Sequence, residues 1–158
     1  KAGFYMSITI NAQSLKNFKF EKALETKIQG LFENRSLKVG FFASAKYPNG
    51  EAVSDVAAYN EFGTSSIPPR PFMRNAKSEN DKKWVDFLAK DLNGTKNADL
   101  SFARLGELVR NDVIVSINKT TEPPNSAETV ARKGSSHPLI DTGFLKSSVT
   151  YEIDKGKK

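Results

Sequence analysis

Apolar and polar positions alternate at both ends of the chain and follow helical spacing between them. Ile8 and Ile10 alternate with small polar residues, which predicts a short strand over Ser7–Asn11. Ser14 is placed to cap a helix reaching about Asn34, with Leu15, Phe18, Leu24, Ile28, Leu31 and Phe32 mainly on one stripe. Leu37–Ala43 reads as a second strand, and Gly40 within it signals a bulge or a close backbone approach. Tyr47-Pro48-Asn49-Gly50 is a turn by its residues. Ser54 can cap a helix to Phe62, with Val53, Val56 and Ala57 inward, and Gly63 stands where a left-handed stop belongs.

Pro68, Pro69 and Pro71 then exclude helix and central strand and favour an extended, stiff segment. A third helix is expected from Asn75 or Ser78 to Leu92, burying Trp84, Phe87, Leu88 and Leu92, with Asn93-Gly94 closing it. A fourth, capped by Asn97 or Asp99, runs to about Ile117; Phe102, Leu105, Val109 and Val113 keep helical spacing, and Ile114 and Ile117 widen that face. Lys119–Pro138 carries no periodicity and reads as a long loop, the kind that serves binding or is disordered. Asp141 is positioned to cap a helical turn over 142–147, and Val149, Tyr151 and Ile153 alternate as a last, half-buried strand.

The order β-α-β-α-α-α-β lacks regular βαβ alternation. It predicts an α+β fold: a small, mostly antiparallel sheet packed against two or more long helices, with extended loops. The length fits one domain, over residues 1–153, followed by a basic tail at 154–158. Met6 is read as the natural start, with residues 1–5 added ahead of it.

Composition narrows the chemistry. The chain has no cysteine, which removes disulfides and thiolate catalysis. No apolar run approaches a membrane span, so no membrane partner is expected. The net charge of +6 lies at the ends: residues 1–40 carry seven Lys or Arg against three acids, and 132–158 carry six against three. Such charge suits an acidic partner, including nucleic acid bound weakly and without sequence preference, but no run is dense enough to make a groove. Ordinary solvated lysines are the preferred account of it.

Asp141-Thr142-Gly143, after Leu139-Ile140, has the form of the aspartic-protease triplet, whose chemistry needs two carboxylates sharing a proton. Phe144 stands where that turn normally holds a small residue, and the chain is too helical for a retropepsin-like protease, so the cap reading is preferred. His137, the only histidine, has no ligand-spaced partners and reads as a surface loop residue. No nucleophile context and no phosphate loop are visible, so neither a cofactor nor an enzymatic activity is expected. Arg70 and Arg74, flanking the prolines, and Arg132 and Lys133 in the long loop are the candidate partner contacts; solvated or intrachain roles compete.

Three segments together resemble a known family. Glu61-Phe62-Gly63-Thr64, Pro68-Pro69-Arg70-Pro71-Phe72-Met73-Arg74, and Pro138-Leu139-Ile140-Asp141-Thr142-Gly143-Phe144-Leu145 with Ser147-Ser148-Val149 are similar to tail-completion and neck proteins of tailed bacteriophages, nearest to the Mu-type virion morphogenesis family. The Ala131–Ser136 loop is similar too, and the likeness covers about residues 39–153. It implies a non-enzymatic phage or prophage protein, made in the host bacterial cytoplasm and carried in the virion at the head–tail junction. It further implies self-association into rings, often hexameric, and docking on head–tail connector or tail-tube proteins.

Overall fold

The computed structural model describes residues 3–8, 15, 17–20 and 35–154. Most of the helix expected over Ser14–Asn34, and the tail beyond Asp154, lie outside the described residues. Where residues 15 and 17–20 are described they form no α-helix but a tight turn closed by Phe18 N–H on Leu15 O at 3.0 Å, with Leu15 buried and Phe18 and Phe20 packed against the core. The fold is α+β. Strands β1 (Phe4–Ile8), β2 (Ser36–Phe41) and β3 (Thr150–Asp154) form one antiparallel sheet in the order β1-β2-β3. The first strand starts three residues earlier than its Ile8/Ile10 alternation suggests, because β2 offers partners there: Phe4 faces Phe41, Met6 faces Val39 and Ile8 faces Leu37. Val39 also faces Tyr151, and Leu37 faces Ile153, so one sheet face collects the apolar side chains.

Gly40 resolves as a close approach rather than a bulge, since the register runs through it without interruption. Its φ is 152°, and a Cβ there would lie 2.5 Å from the Phe4 carbonyl oxygen and 2.6 Å from Tyr5 Cα. Gly40→Ala is expected to push β1 away and lower stability by about 1–3 kcal/mol, the range for backbone strain and overpacking. Urea unfolding checks this; a midpoint equal to the parent's would contradict the close approach.

Helix α1 (Val53–Phe62) covers the sheet, and its start corrects an expectation. Ser54 is not the cap: Ala52 is, without a side-chain bond, and Ser54 Oγ is buried with no partner. The first turn is held instead by Val53 N–H donating to Ala45 O at 3.1 Å. Helices α2 (Phe72–Thr95) and α3 (Ala98–Lys119) lie side by side, turned back on each other through Lys96 in the left-handed region and Asn97. Asn97 caps α3 as expected, accepting from Leu100 N–H.

Trp84, Leu88 and Leu92 of α2 and Phe102, Leu105, Val109, Val113 and Ile117 of α3 are buried in a common core with Leu37, Val39 and Phe41; Phe87 is half-buried at its rim. Asp112 ties the two helices. It accepts from Trp84 Nε1–H at 2.7 Å and from Lys83 Nζ at 2.7 and 2.9 Å, so the buried indole donor is satisfied. No described helix is long and apolar enough to cross a membrane.

The long loop is partly helical: α4 spans Ala127–Lys133, capped by Ser126 Oγ and ended by Gly134 in the left-handed region. A short α5 (Phe144–Ser147) leads into β3.

Candidate functional site

The first two segments singled out in the sequence meet at the N-terminus of α2, and the third shares a pocket with Pro68 and Arg70 of the second. A helix leaves its first backbone donors without intrahelical partners. Here every one is accounted for. Pro71, at the N-cap, has no N–H. Phe72 N–H donates to Arg70 O at 2.8 Å. Met73 and Arg74 N–H donate to the two carboxylate oxygens of Glu61, at 2.9 and 3.1 Å. Glu61 is 1 % exposed, so α1 delivers a buried anion to the positive end of α2. Arg74 completes the contact: its Nε donates to Glu61 Oε1 at 2.9 Å and its Nη2 to Glu61 O at 2.9 Å, while the guanidinium lies over the exposed Phe62 ring.

This is why α2 begins at Phe72 and not at the expected Asn75 or Ser78: the cap comes from eleven residues upstream. At the other end α2 passes Asn93-Gly94 and stops at Thr95.

Gly63 ends α1 at φ 77°, ψ 171°, not in the left-handed helical region expected of a stop but in an extended one open essentially to glycine. The turn that follows closes on Thr64, whose N–H donates to Ile67 O and whose Oγ1 accepts from Ser66 and Ile67 N–H. Pro68–Pro71 then run outside regular structure to Arg70, which is 4 % exposed.

Arg70 N–H donates to Asn60 O at 2.6 Å. Its Nε donates to Pro123 O at 2.7 Å, Nη2 to Pro124 O at 3.1 Å and more weakly to Asn125 Oδ1 at 3.5 Å, and Nη1 to Asn60 Oδ1 at 3.4 Å. The fork of donors thus straps residues 123–125 onto α1. No carboxylate is paired with it among the described residues, and burial lowers its pKa from the usual arginine value. Arg70 and Arg74, expected as partner contacts, therefore both act within this chain.

The strap forms one wall of a pocket of about 600 Å³. Tyr47 and Phe144, whose rings lie 5.2 Å apart, stand in it, with Arg132, Lys133, Asp141 and Thr142 among the rest. Arg132 is exposed. Lys133 is half-buried and donates to His137 O at 3.2 Å and Pro138 O at 3.3 Å; burial above all lowers its pKa, Asp141 opposes the shift, and the charges of Arg70 and Arg132 add to it. The Tyr47 hydroxyl is raised, first by burial and then by the nearby charges of Glu51 and Asp141.

His137 is not a free surface residue: it is half-buried, with Nε2 2.9 Å from Asn118 O at the end of α3. Among the described residues no group of three or more acidic or histidine side chains could hold a metal ion.

Asp141 is not a helix cap. The residue before α5 is Gly143, at φ 81°, with no side-chain cap bond, and Phe144 N–H reaches Thr142 Oγ1 at 3.4 Å. Asp141 is exposed at the pocket. Its removal should therefore cost little: Asp141→Ala and Asp141→Asn are both expected within about 0.5 kcal/mol of the parent. Thermal unfolding checks this, and a loss confined to the alanine variant would restore the capping role. Peptide cleavage at acidic pH that vanishes in Asp141→Asn would instead assign a catalytic carboxylate.

Searches against known protein families, curated proteins and solved structures return no match for the chain.

Proposed function

We propose that the chain is a structural subunit of the neck or tail-completion type from a tailed phage or prophage. In this reading it acts in virion morphogenesis by ring-like self-association and by docking on connector or tail-tube proteins. It is made in the bacterial cytoplasm and carried in the virion at the head–tail junction, and performs no catalysis.

The observation that carries the reading is that the first two family-like segments lock together at the start of α2 while the third borders a pocket with the second. Glu61 and Arg74 fasten α1 to α2, and Arg70 fastens the proline segment to residues 123–125. Asp141 and Thr142 border the pocket so formed. Side chains used this way fix loops relative to helices, and a pre-ordered surface loses little entropy on docking. In free solution such a subunit can remain monomeric, because ring closure waits for a template.

Native mass spectrometry of the chain alone and mixed with purified connector and tail-tube proteins of the same phage tests the reading. Discrete complexes with one of them are expected. A chain that stays unchanged with every neck and tail protein contradicts it.

The net charge of +6 favours a second reading, a non-specific nucleic-acid-binding module. That reading requires an affinity falling steeply with salt. The assembly reading expects at most weak binding, lost at moderate ionic strength; a tight complex that survives about 0.2 M salt would reverse the preference.

A further inference from the structure

The pocket beside the Arg70 strap carries a charge excess that its own residues leave uncompensated. Three cations line it, Arg70, Arg132 and Lys133, against two carboxylates, Glu51 and Asp141. At about 600 Å³ it lies inside the range of roughly 300–1,000 Å³ typical of binding clefts. Donors remain. A guanidinium has five N–H groups, and one on Arg70 Nη1 has no partner among the described residues beyond the weak contact with Asn60. Lys133 Nζ has used two of its three hydrogens on carbonyl oxygens, and Arg132 is exposed at the rim.

The lining mixes these polar groups with stiff apolar surface: Pro68, Pro124 and Pro138 contribute to it, with Tyr47 and Phe144. Prolines have little chain freedom left to lose when a ligand settles against them.

We propose that this pocket binds a carboxylate side chain carried on an extended segment of a partner protein, with Arg132 and Lys133 contacting the carboxylate and Arg70 supplying positive potential from the floor. One net positive charge matches one carboxylate. A phosphate dianion or a row of nucleic-acid phosphates would instead crowd Glu51 and Asp141. The extended segment, rather than a free acid, is favoured by the proline and aromatic walls, which offer contact to residues on either side of the acidic one. The proposal goes beyond the assembly role and stands without it, since a pocket of this chemistry would hold such a group in any complex.

The test uses the full chain, isotopically labelled, titrated with the capped peptide acetyl-Ala-Pro-Glu-Ala-amide and followed by backbone amide shifts. Saturable shifts are expected at Thr129, Arg132 and Thr142. The glutamine analogue of the peptide, and acetate alone, should each bind at least about tenfold more weakly. Arg132→Gln and Lys133→Gln should each weaken the glutamate peptide severalfold, while Lys77→Gln, paired with Asp81 on the exposed side of α2, should leave it unchanged. Both pocket variants leave the Arg70 strap intact; Lys133→Gln also gives up its bonds to His137 O and Pro138 O, so the exposed Arg132→Gln is the variant whose lost response does not reflect a changed fold.

Several results would overturn the assignment. They are an absence of saturation, equal binding of the glutamine peptide, acetate binding as tightly as the peptide, indifference to both substitutions, or tighter binding at the same amides by inorganic phosphate or a short thymidine oligonucleotide.

Discussion

Glu61→Ala is expected to lower the unfolding free energy by about 2–5 kcal/mol, the largest loss foreseen for a single side chain here. The substitution leaves the Met73 and Arg74 N–H groups without an acceptor at a buried helix end, and each unsatisfied donor costs about 1–3 kcal/mol. It also removes the negative charge from the positive end of α2. Arg74 contributes less, because its side chain is largely exposed and its ion pair is screened by solvent. Glu61→Gln keeps one carbonyl acceptor but turns an NH2 group toward a donor, so it should fall between parent and alanine. Denaturant unfolding of the three proteins reads this order directly. Parent-like stability in Glu61→Ala would mean that α2 starts without help from α1.

Arg70→Met should cost about 2–4 kcal/mol if unfolding remains cooperative. Methionine matches much of the volume but leaves Pro123 O, Pro124 O and Asn125 Oδ1 without their donor. Lysine is no substitute, since one ammonium cannot reproduce a planar fork that reaches both carbonyls and Asn60. The loss should also have a local signature. Hydrogen exchange should quicken at the N-terminal end of α4, next to the freed strap, before it changes in α3. Uniform acceleration across the molecule, or none at all, would show that the strap does not depend on Arg70.

What could be read in the sequence was whatever depended on neighbours along the chain. The Phe102–Ile117 stripe with Asn97 ahead of it is an amphipathic helix with a local cap, and α3 is that helix. Tyr151 and Ile153 of the expected alternation face Val39 and Leu37 in β3, with Val149 buried just before the strand begins, and Gly40 marks a real backbone contact.

What could not be read depended on residues far away. The start of α2 is set by Glu61, and nothing near Phe72 announces it. Acids on a short helix are too common for Glu61 to stand out as a cap for the next one. Arg70 finds its acceptors 53 and 54 residues later, so the sequence left an intrachain role open without naming its partners.

Helix α4 was missed for another reason: it buries none of its residues, so it has no apolar stripe to detect. Its ends were nevertheless visible in Ser126 three positions before Thr129 and in Gly134 after two basic residues, a cap-and-stop pattern that carries information without hydrophobic period. Asp141 failed as a cap because Gly143 adopts the positive φ that precedes α5, which places the N-cap two residues beyond the aspartate.

The proposed assembly role requires the chain to be a stoichiometric component of a phage particle. Its most direct test is quantitative mass spectrometry of purified virions, or of particles induced from the prophage, using labelled peptides of this chain and of the connector protein as standards. A fixed, ring-like copy number per particle is expected, unchanged by high-salt washing and kept when nucleic acid is digested. Absence from intact particles, or a variable amount that leaves with nuclease treatment, would contradict it.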